Sequence, residues 1–311
     1  MKPLQRKQTA LLIAVTATVF LASCHGLGRD GNAEVRTGRR EWKCPQGVEG
    51  AKMVLIPLSP DAPFCIDERQ ATYGEYGQFV KKKGKDFSGQ PSQCDWNRDW
   101  GPVVDCESST GRPWKCGRSV AEADPDWAVS SLDFCDAWAF CAWAGKRLCG
   151  DRVHHGVSVF QEGRDDETRQ PNGTTWWVPR VVEEWYQVCT QGGTSDYPFG
   201  NDWQDGLCQT ERKWRAPGDK THNVRDTTGN KCHGNFQPYD KVFNMIGGIS
   251  QWTNGCSEDN DRCAVRGGLA IITLSLETPF CSGSLEMHDR QDPAAGVRCC
   301  ADAVLGYAGT W

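Results

Sequence analysis

The chain has 311 residues, with 35 basic and 40 acidic side chains and a formal net charge of −5. This length supports a buried core in one large domain or two small ones. The acidic balance argues against nucleic-acid binding, which needs a basic patch or stripe. Disordered sequences are poor in aromatic residues, so the 14 tryptophans argue for a folded chain. The 17 cysteines indicate an oxidising compartment, because a reducing cytosol keeps thiols unpaired.

The first 23 residues have the organisation of a secretory signal peptide. A basic start is followed by a mostly apolar run over 9–20, which is too short for a comfortable membrane-spanning helix. The next residues, Leu-Ala-Ser-Cys, resemble the lipobox of bacterial lipoproteins, which implies that Cys24 becomes the acylated first residue of the mature protein. His25 gives no signal for retention in the inner membrane, so the outer membrane of the bacterial envelope is favoured. The alternative is an ordinary signal peptide with an unrelated cysteine nearby.

Acylation of Cys24 would explain the odd cysteine count. Removing it from the 17 leaves 16, an even number that allows full pairing into disulfides. Several acyl chains on one cysteine give stable membrane anchoring, which a single chain does not. The predicted organisation is a signal peptide over 1–23, an acylated flexible tether over 24–42, a folded domain over 43–303 and a tail over 304–311.

The first part of the folded domain predicts short elements and a long loop. An apolar run over 53–58 favours a strand. Thr72 and Glu75 have the spacing of a helix capping box, and apolar residues follow them at helical spacing. Residues 90–126 hold three cysteines among Gly, Pro, Ser and Trp, which predicts a long loop held by disulfides.

A second helix is predicted over 132–144, with Ser130 or Ser131 as its cap and Gly145 as its stop. Its apolar residues surround most of the circumference, which predicts that the helix is buried. The other predicted elements are a third helix over 181–190 and short strands over 263–265 and 296–301. Few helices, short strands and long loops indicate an irregular α+β fold.

General motifs of catalysis are absent from the sequence. It contains no glycine-rich phosphate loop, no G-x-S-x-G elbow and no C-x-x-C pair. Acidic residues over 258–261 could hold Ca²⁺, but without the spacing of a known loop a solvated acidic turn is favoured. The adjacent Cys299 and Cys300 favour two separate disulfides over one vicinal bridge. The tryptophans, including Trp176 and Trp177, are interpreted as core residues more readily than as a stacking surface for sugars.

Several short segments between residues 53 and 302 occur in an order that is typical of one protein family. They are Phe64-Cys-Ile-Asp67, Thr72-x-x-Glu75-Tyr76-x-x-Phe79, Asp136-Ala-Trp-Ala-Phe-Cys-Ala-Trp-Ala-Gly-Lys-Arg-Leu148, Glu184-Trp-Tyr-x-x-Cys189, Tyr197-Pro-Phe-Gly-Asn201, Val242-Phe-Asn-Met-Ile-Gly-Gly-Ile-Ser-Gln-Trp-Thr253, Arg266-Gly-Gly268 and Gly296-Val-Arg-Cys299. In this order they resemble the motifs of the formylglycine-generating enzyme, or sulfatase-modifying factor, domain family. The resemblance implies an irregular, loop-rich and disulfide-rich α+β domain related to C-type lectins.

The resemblance also implies two disulfides. In the family, a cysteine of the motif that matches 136–148 bridges to the cysteine that follows a Gly-Phe-Arg element. That element corresponds here to Gly296-Val-Arg298, so the resemblance implies a bridge between Cys141 and Cys299. A second family bridge corresponds here to Cys189 and Cys281. Both bridges close long loops, and each is expected to stabilise the domain by about 2–5 kcal/mol.

The copper site of the family is not matched by the residues of this chain. The enzymes oxidise a substrate cysteine to formylglycine with copper held by two cysteines, which lie between the Arg-Gly-Gly element and the second bridging cysteine. Cu(I) requires such thiolates. Counted from either flank, the corresponding positions hold no thiol: they are Ile272 and Glu277, or Ile271 and Leu276. Leu269 also replaces the serine that follows Gly-Gly in the family.

A structural Ca²⁺ segment of the family is altered as well, with Gly248 in place of Asn and Gln251 in place of Glu. Loss of a carboxylate weakens a site for a hard cation. The sequence therefore predicts no copper and no catalytic residue, although Ca²⁺ stays open.

The expected function is that of a non-catalytic, membrane-anchored module that binds an unidentified protein or glycan, or that has a structural role. The alternatives are a formylglycine-generating oxidase acting on sulfatase cysteines, or another oxidoreductase on the same scaffold.

Overall fold

The computed structural model describes residues 40–57, 63–107, 113–115, 117–150, 158–160, 167–169, 175–177, 183–208, 230–257, 262–267, 281, 285–292 and 295–307. The chain divides into two compact units, 1–38 and 39–311, and all described residues belong to the second. The predicted signal peptide and Cys24 lie outside the described residues. None of the helices within the described ranges is long and apolar enough to cross a membrane.

Short helices and strands alternate along the described part of the chain. The α-helices are α1 Tyr73–Lys83, α2 Phe134–Trp143 and α3 Glu184–Cys189. The strands are β1 Arg40–Lys43, β2 Met53–Ile56, β3 Phe64–Asp67, β4 Asp105–Glu107, β5 Pro113–Lys115, β6 Arg147–Leu148, β7 Ser158–Phe160, β8 Glu167–Arg169, β9 Thr175–Trp177, β10 Gln251–Ser257, β11 Arg262–Arg266, β12 Leu285–Asp289, β13 Gly296–Val297, β14 Cys299–Asp302 and β15 Val304–Tyr307. This arrangement confirms the predicted irregular α+β architecture.

The strands form two larger sheets and three pairs. One sheet has the order β2-β3-β14-β6, with antiparallel pairing throughout. The second has the order β12-β11-β10-β13, and β7 also pairs with β10. The pairs are β1-β15, β4-β5 and β8-β9. Arg40–Lys43 and Val304–Tyr307 pair with each other, so regular structure extends beyond the predicted limits of the domain at both ends.

The first helix begins as its sequence predicts. The Thr72 side chain accepts a hydrogen bond from the Glu75 N–H at 3.2 Å, and the Glu75 carboxylate accepts one from the Thr72 N–H at 3.0 Å. This reciprocal arrangement satisfies backbone donors that a helix start leaves unpaired. Helix α1 ends at Gly84, whose φ of 54° suits glycine.

The cap of the second helix differs from the prediction. Asp133, not Ser130 or Ser131, caps α2, because its carboxylate accepts the Asp136 N–H at 2.8 Å. Leu132 is used in a bridge to Ala295, so the helix starts after it. The predicted stop at Gly145 is confirmed, with a φ of 74° just past the helix end.

The third helix is shorter than predicted, covering Glu184–Cys189 within the predicted 181–190. The predicted loop over 90–126 contains a 3-10 turn, Ser92–Cys94, and the β4-β5 hairpin. The predicted strand over 296–301 is divided into β13 and β14 by Arg298, whose side chain has a role described below.

Seven disulfides connect described cysteines. They are Cys44–Cys65, Cys94–Cys135, Cys141–Cys299, Cys149–Cys300, Cys189–Cys281, Cys208–Cys232 and Cys256–Cys263. The set includes both pairs that the family resemblance implies. Cys299 and Cys300 form two separate bridges, as expected. Cys116 and the side chain of Cys106 lie outside the described part of the structure.

Two main groups of buried side chains fill the interior. The aromatic core lies between α1 and α2 and includes Tyr76, Phe79, Trp100, Phe140 and Trp252. The Trp185 core packs around α3. Successive side chains of a strand point to opposite faces, and accordingly Cys299 belongs to the aromatic core and Cys300 to the Trp185 core.

Candidate functional site

Two motifs that carry the family resemblance meet at a buried ion pair. Arg266 ends β11, and Glu183 immediately precedes α3. The Nε of Arg266 donates to Glu183 Oε1 at 3.0 Å, and its Nη2 donates to Glu183 Oε2. The guanidinium also lies 5.8 Å from the centre of the Trp185 ring, a cation–π distance. Both charged side chains are almost fully buried, so each stabilises the other against the cost of desolvation.

Gln251 connects this ion pair to a second buried arginine. The Oε1 of Gln251 accepts hydrogen bonds from Arg298 Nε at 2.7 Å and from Trp185 Nε1 at 3.3 Å. The Nη1 of Arg298 donates to the Asp67 carbonyl at 2.7 Å. Its Nη2 donates to the Phe243 carbonyl. Neutral oxygens hold this guanidinium, and burial lowers the pKa of Arg298 to about 9.

A second buried charge pair lies beside Arg298. The Nζ of Lys146 donates to Asp67 Oδ1 at 2.6 Å and to the Ala51 carbonyl at 2.8 Å. The other carboxylate oxygen of Asp67 accepts the Cys299 N–H at 3.1 Å. Burial raises the pKa of Asp67 to about 6, while Lys146 acts in the opposite direction. The family motifs around 67, 146 and 298 thus form one hydrogen-bonded scaffold, and the contact of Arg266 with Trp185 joins the first ion pair to it.

The positions nearest to the family's copper ligands have defined partners. Cys263 is bonded to Cys256, and Cys281 is bonded to Cys189, so neither offers a thiolate. The four residues at the expected copper positions (Ile271, Ile272, Leu276 and Glu277) lie outside the described residues, as does Leu269.

The segment that resembles the family's Ca²⁺ site has Gln251 and Gly248 within the described structure. Gln251 is fully buried, and its carbonyl oxygen is already hydrogen-bonded to the Arg298 guanidinium. A second cation at this oxygen would be repelled by Arg298. Gly248 has a φ of 65° and supplies no side-chain ligand. The acidic turn over 258–261 is outside the described residues.

One group of described side chains has metal-ligand types at short range. One potential ligand atom from each of Cys149, Glu184 and Cys300 lies within 4.8 Å of the others. The two cysteines, however, are bonded to each other, and Glu184 forms a two-point pair with Arg147 at 2.6 and 2.7 Å. Burial raises the pKa of Glu184, and Arg147 opposes that shift. The cluster therefore serves as a cross-link and an ion pair.

The tryptophans divide into two groups. Trp100, Trp185 and Trp252 are among the largest fully buried side chains, which agrees with the core interpretation. Trp138 and Trp143 are only partly buried and project from α2. Trp176 and Trp177 lie in β9, but their side chains are outside the described part of the structure.

The protein-family model of the sulfatase-modifying factor enzyme 1-like domain matches residues 37–303 of this chain. The chain belongs to this family. The predicted family is therefore confirmed, and the sulfatase-modifying factor domain spans nearly all of the described residues.

The solved structures to which this chain is similar include three of low sequence identity. PvdO from Pseudomonas aeruginosa is 17% identical over 77% of this chain and 80% of its own, with a TM-score of 0.42. CarF is 16% identical over 82% and 96% of the two chains, with a TM-score of 0.40. The Treponema denticola variable protein 1 is 13% identical over 85% and 99%, with a TM-score of 0.36. No curated protein matches the chain.

Sequence reasoning missed the partners of the buried charges. Arg266 and Arg298 were visible as motif residues, but nothing in the spacing indicated that Glu183 or Gln251 would contact them. The apolar sequence neighbours of both arginines indicated that the arginines are buried. A buried arginine requires hydrogen-bond acceptors, so the presence of such partners, though not their identity, could have been predicted.

Proposed function

We propose that the protein is a lipoprotein of the outer membrane of a bacterial envelope, and that its sulfatase-modifying factor domain is non-catalytic. The domain acts as a surface binding or structural module, and its partner is a glycan or a protein. The lipobox-like sequence ending at Cys24 supports the anchor. The proposal assigns no nucleic-acid partner.

The main support for a non-catalytic role is that no free cysteine is found near Arg266 at the positions where the family holds copper. The sequence from Ala264 to Phe280 contains no cysteine, and Cys263 and Cys281 on either side are both in disulfides. Cu(I) in this family requires two thiolates, and soft metals are not held by Ile, Leu or Glu side chains. These residues do not fit copper, and we assign no cofactor to the domain.

The retained scaffold is consistent with this proposal. Arg266, Gln251 and Arg298 make buried contacts that hold loops together, and a stable scaffold can carry a new function without the old chemistry. Gln251, bonded to a guanidinium, likewise does not fit Ca²⁺.

The non-catalytic role is tested with the full-length protein in detergent. Cu(I) is titrated against a chromophoric chelator, and a cysteine-containing sulfatase peptide is incubated with protein, copper and oxygen and then analysed by mass spectrometry. We expect no stoichiometric Cu(I) binding and no formylglycine. Formylglycine in the product would establish the oxidase alternative instead.

Two matched variants control for the copper assay. Ile272→Cys with Glu277→Cys, and Ile271→Cys with Leu276→Cys, restore thiols in the two possible registers. At least one of them should bind one equivalent of Cu(I) under conditions in which the unaltered protein binds none. Binding by the unaltered protein at the level of these variants would refute the proposal.

The anchor is tested separately by labelling cells with radioactive palmitate. The unaltered protein should incorporate label and fractionate with membranes, and Cys24→Ala should lose both properties. Label that persists in Cys24→Ala would show that acylation occurs elsewhere.

A further inference from the structure

The ribbon formed by β1 and β15 is not part of either larger sheet. Arg40–Lys43 and Val304–Tyr307 pair antiparallel, and neither strand pairs with any other strand of the described structure. The Lys43–Val304 end of the ribbon is joined to the domain, because Cys44 is disulfide-bonded to Cys65 of β3 and β14 ends just before Val304. The other end therefore points away from these attachments.

Apolar side chains are exposed on both faces of this ribbon. The large hydrophobic side chains that are exposed in the described structure are Phe236 at 49%, Val304 at 48% and Leu305 at 46%, so two of them are neighbours in β15. Successive side chains of a strand point to opposite faces, so both faces of the ribbon are accessible. Exposed apolar residues that occur singly need no explanation, whereas a contiguous group marks an interaction surface.

The residues across the ribbon add an aromatic and a basic side chain. Leu305 is opposite Trp42, which is partly buried, and Val304 is opposite the exposed Lys43. Gly306 has no side chain, and the Cδ and Cε of Lys43 lie 3.6 and 3.9 Å from the place where its Cβ would be. The lysine stem therefore lies across the ribbon. Tryptophan and lysine beside apolar residues are typical of a membrane interface, where the indole lies at headgroup level and the amine reaches the phosphates.

The chain connects the ribbon directly to the proposed lipid anchor. β1 is the first described element after Cys24, and residues 25–39 lie between them. Even fully extended, this connection places Arg40 no more than about 55 Å from the anchor. The charged residues of the two strands are Arg40, Glu41 and Lys43, so a basic excess faces the phosphate groups. The phospholipid surface is therefore the partner that the anchor holds next to this ribbon.

We propose that the β1-β15 ribbon rests on the phospholipid surface to which Cys24 is anchored, with Trp42, Val304 and Leu305 at headgroup level. This inference rests on the proposed function, because it requires the acyl anchor. A contact of so few side chains is weak by itself, but anchoring makes it intramolecular and raises its effective concentration. The contact orients the domain, so the surfaces opposite the ribbon face away from the membrane.

The test places the acylated full-length protein in phosphatidylcholine vesicles, with or without bromine on the acyl chains. Bromine quenches the fluorescence of tryptophans that it contacts. We expect part of the tryptophan emission to be quenched, and we expect Trp42→Phe to lose most of this quenching, because the phenyl ring keeps an apolar side chain but removes the emitter. Quenching that is unchanged in Trp42→Phe would overturn the proposal.

A matched pair of variants leaves Trp42 in place. Leu305 and Phe236 are exposed to a similar degree, so neither Leu305→Lys nor Phe236→Lys removes a core side chain. Leu305→Lys should lose most of the quenching, whereas Phe236→Lys should be quenched like the unaltered protein. Circular dichroism spectra should be the same for all of these proteins. Equal quenching in both lysine variants would show that the ribbon does not contact the bilayer.

Two further measurements separate this proposal from its alternatives. Sedimentation in detergent should give a monomer for the unaltered protein and for Leu305→Lys. A dimer that Leu305→Lys converts to a monomer would make the ribbon a contact between copies of the chain and would overturn the proposal. The palmitate label is read on the same preparation. Labelled protein without quenching overturns the ribbon contact alone, whereas protein without label overturns the anchor and the ribbon contact together.

Discussion

The aromatic core and the Trp185 core belong to one domain but are stabilised by different interactions. In the aromatic core, rings meet edge to face, as in Phe79 against Phe140 with centres 5.9 Å apart and planes at 90°. At the border of the Trp185 core, buried carboxylates meet cations, as in Glu183 with Arg266 and Glu184 with Arg147. Apolar burial contributes the larger part of stability in general, whereas buried ion pairs contribute mainly through the penalty for breaking them.

This difference shows what the family motifs preserve. Arg266, Gln251 and Arg298 are motif residues, and each of them holds loops in place through buried hydrogen bonds. At the positions where the family resemblance places the copper cysteines, the sequence has no thiol. The motif residues that are described build the scaffold, so their presence alone does not predict the activity.

The two adjacent cysteines of β14 allow a direct comparison of the cores. The double variants Cys141→Ala with Cys299→Ala and Cys149→Ala with Cys300→Ala open loops of 158 and 151 residues, respectively. Because the loops are nearly equal in length, chain entropy predicts the same loss for both, about 5 kcal/mol of unfolding free energy. Guanidinium unfolding monitored by tryptophan fluorescence measures each loss.

The Cys256–Cys263 bridge is the control, since it closes a loop of only 7 residues. Its removal should cost about 2 kcal/mol on the same entropic basis. If removing the short bridge and removing a long bridge lowered the unfolding free energy equally, chain entropy would be ruled out as the source of the stabilisation by these disulfides. A clear difference between the two long bridges would show that their cores contribute unequally.

Breaking the ion pair of the Trp185 core is the next largest expected effect. Glu183→Ala leaves the Arg266 guanidinium buried without its counter-charge, which should lower the free energy of unfolding by about 3–5 kcal/mol. Asp289→Ala removes the carboxylate partner of Arg262 at the other end of the same strand, where the side chains are 57% and 72% exposed. That control should cost less than about 1 kcal/mol. Urea unfolding of both variants gives the comparison.

A double replacement sharpens this result. Glu183→Leu with Arg266→Met removes both charges and keeps apolar volume, so it should recover most of the stability lost in Glu183→Ala. If the double variant is as unstable as the single one, hydrogen bonding of the pair, not an uncompensated charge, would be the main contribution.

The overall architecture followed from local signals in the sequence. The capping box of Thr72 and Glu75, the stop at Gly145 and the apolar run of β2 are all found where the pattern places them, because each depends on residues close together in the chain. The cap of α2 was predicted wrongly because the bridge between Leu132 and Ala295 decides where the helix starts. A contact over such a distance leaves no trace in local spacing.

The sequence allowed the family motifs to be identified, but it did not allow the contacts between their residues to be predicted. The pairing of Cys141 with Cys299 came from family resemblance, not from spacing, since an even number of cysteines permits many connectivities. The place of Trp100 in the aromatic core could not be predicted, because it lies in a loop that only the fold brings to Phe79.

A pH-dependent effect on stability is expected from the acidic residues beside the aromatic core. Burial raises the pKa of Asp133 to about 7 from its ordinary 3.8, and burial with repulsion from Asp133 raises the pKa of Asp136. Asn97 donates to the Asp136 carboxylate at 3.0 Å, but an amide does not neutralise the charge. These two carboxyls therefore contrast with those of the Trp185 core, which face cations.

The sign of the pH effect follows from the raised pKa. Between pH 3.8 and about 7 the folded protein keeps a proton on Asp133 that the unfolded chain has released. The stabilisation is therefore complete below pH 3.8 and is lost as pH rises through 7, with a slope of up to about 1.4 kcal/mol per pH unit for one proton. Asp133→Asn keeps a good helix cap and removes this titration, so its unfolding free energy should decline less steeply over this range.

Urea unfolding at half-unit steps between pH 4 and 7.5 measures the slope for the unaltered protein and Asp133→Asn. Asp86→Asn is the control, because hydrogen bonds from Ser88 lower the pKa of Asp86 to about 2, below the measured range. Equal slopes in the unaltered protein and Asp133→Asn would mean that Asp133 titrates normally. The acidic pair would then be as well compensated as the carboxylates of the Trp185 core, and the contrast between the two cores would be confined to their apolar packing.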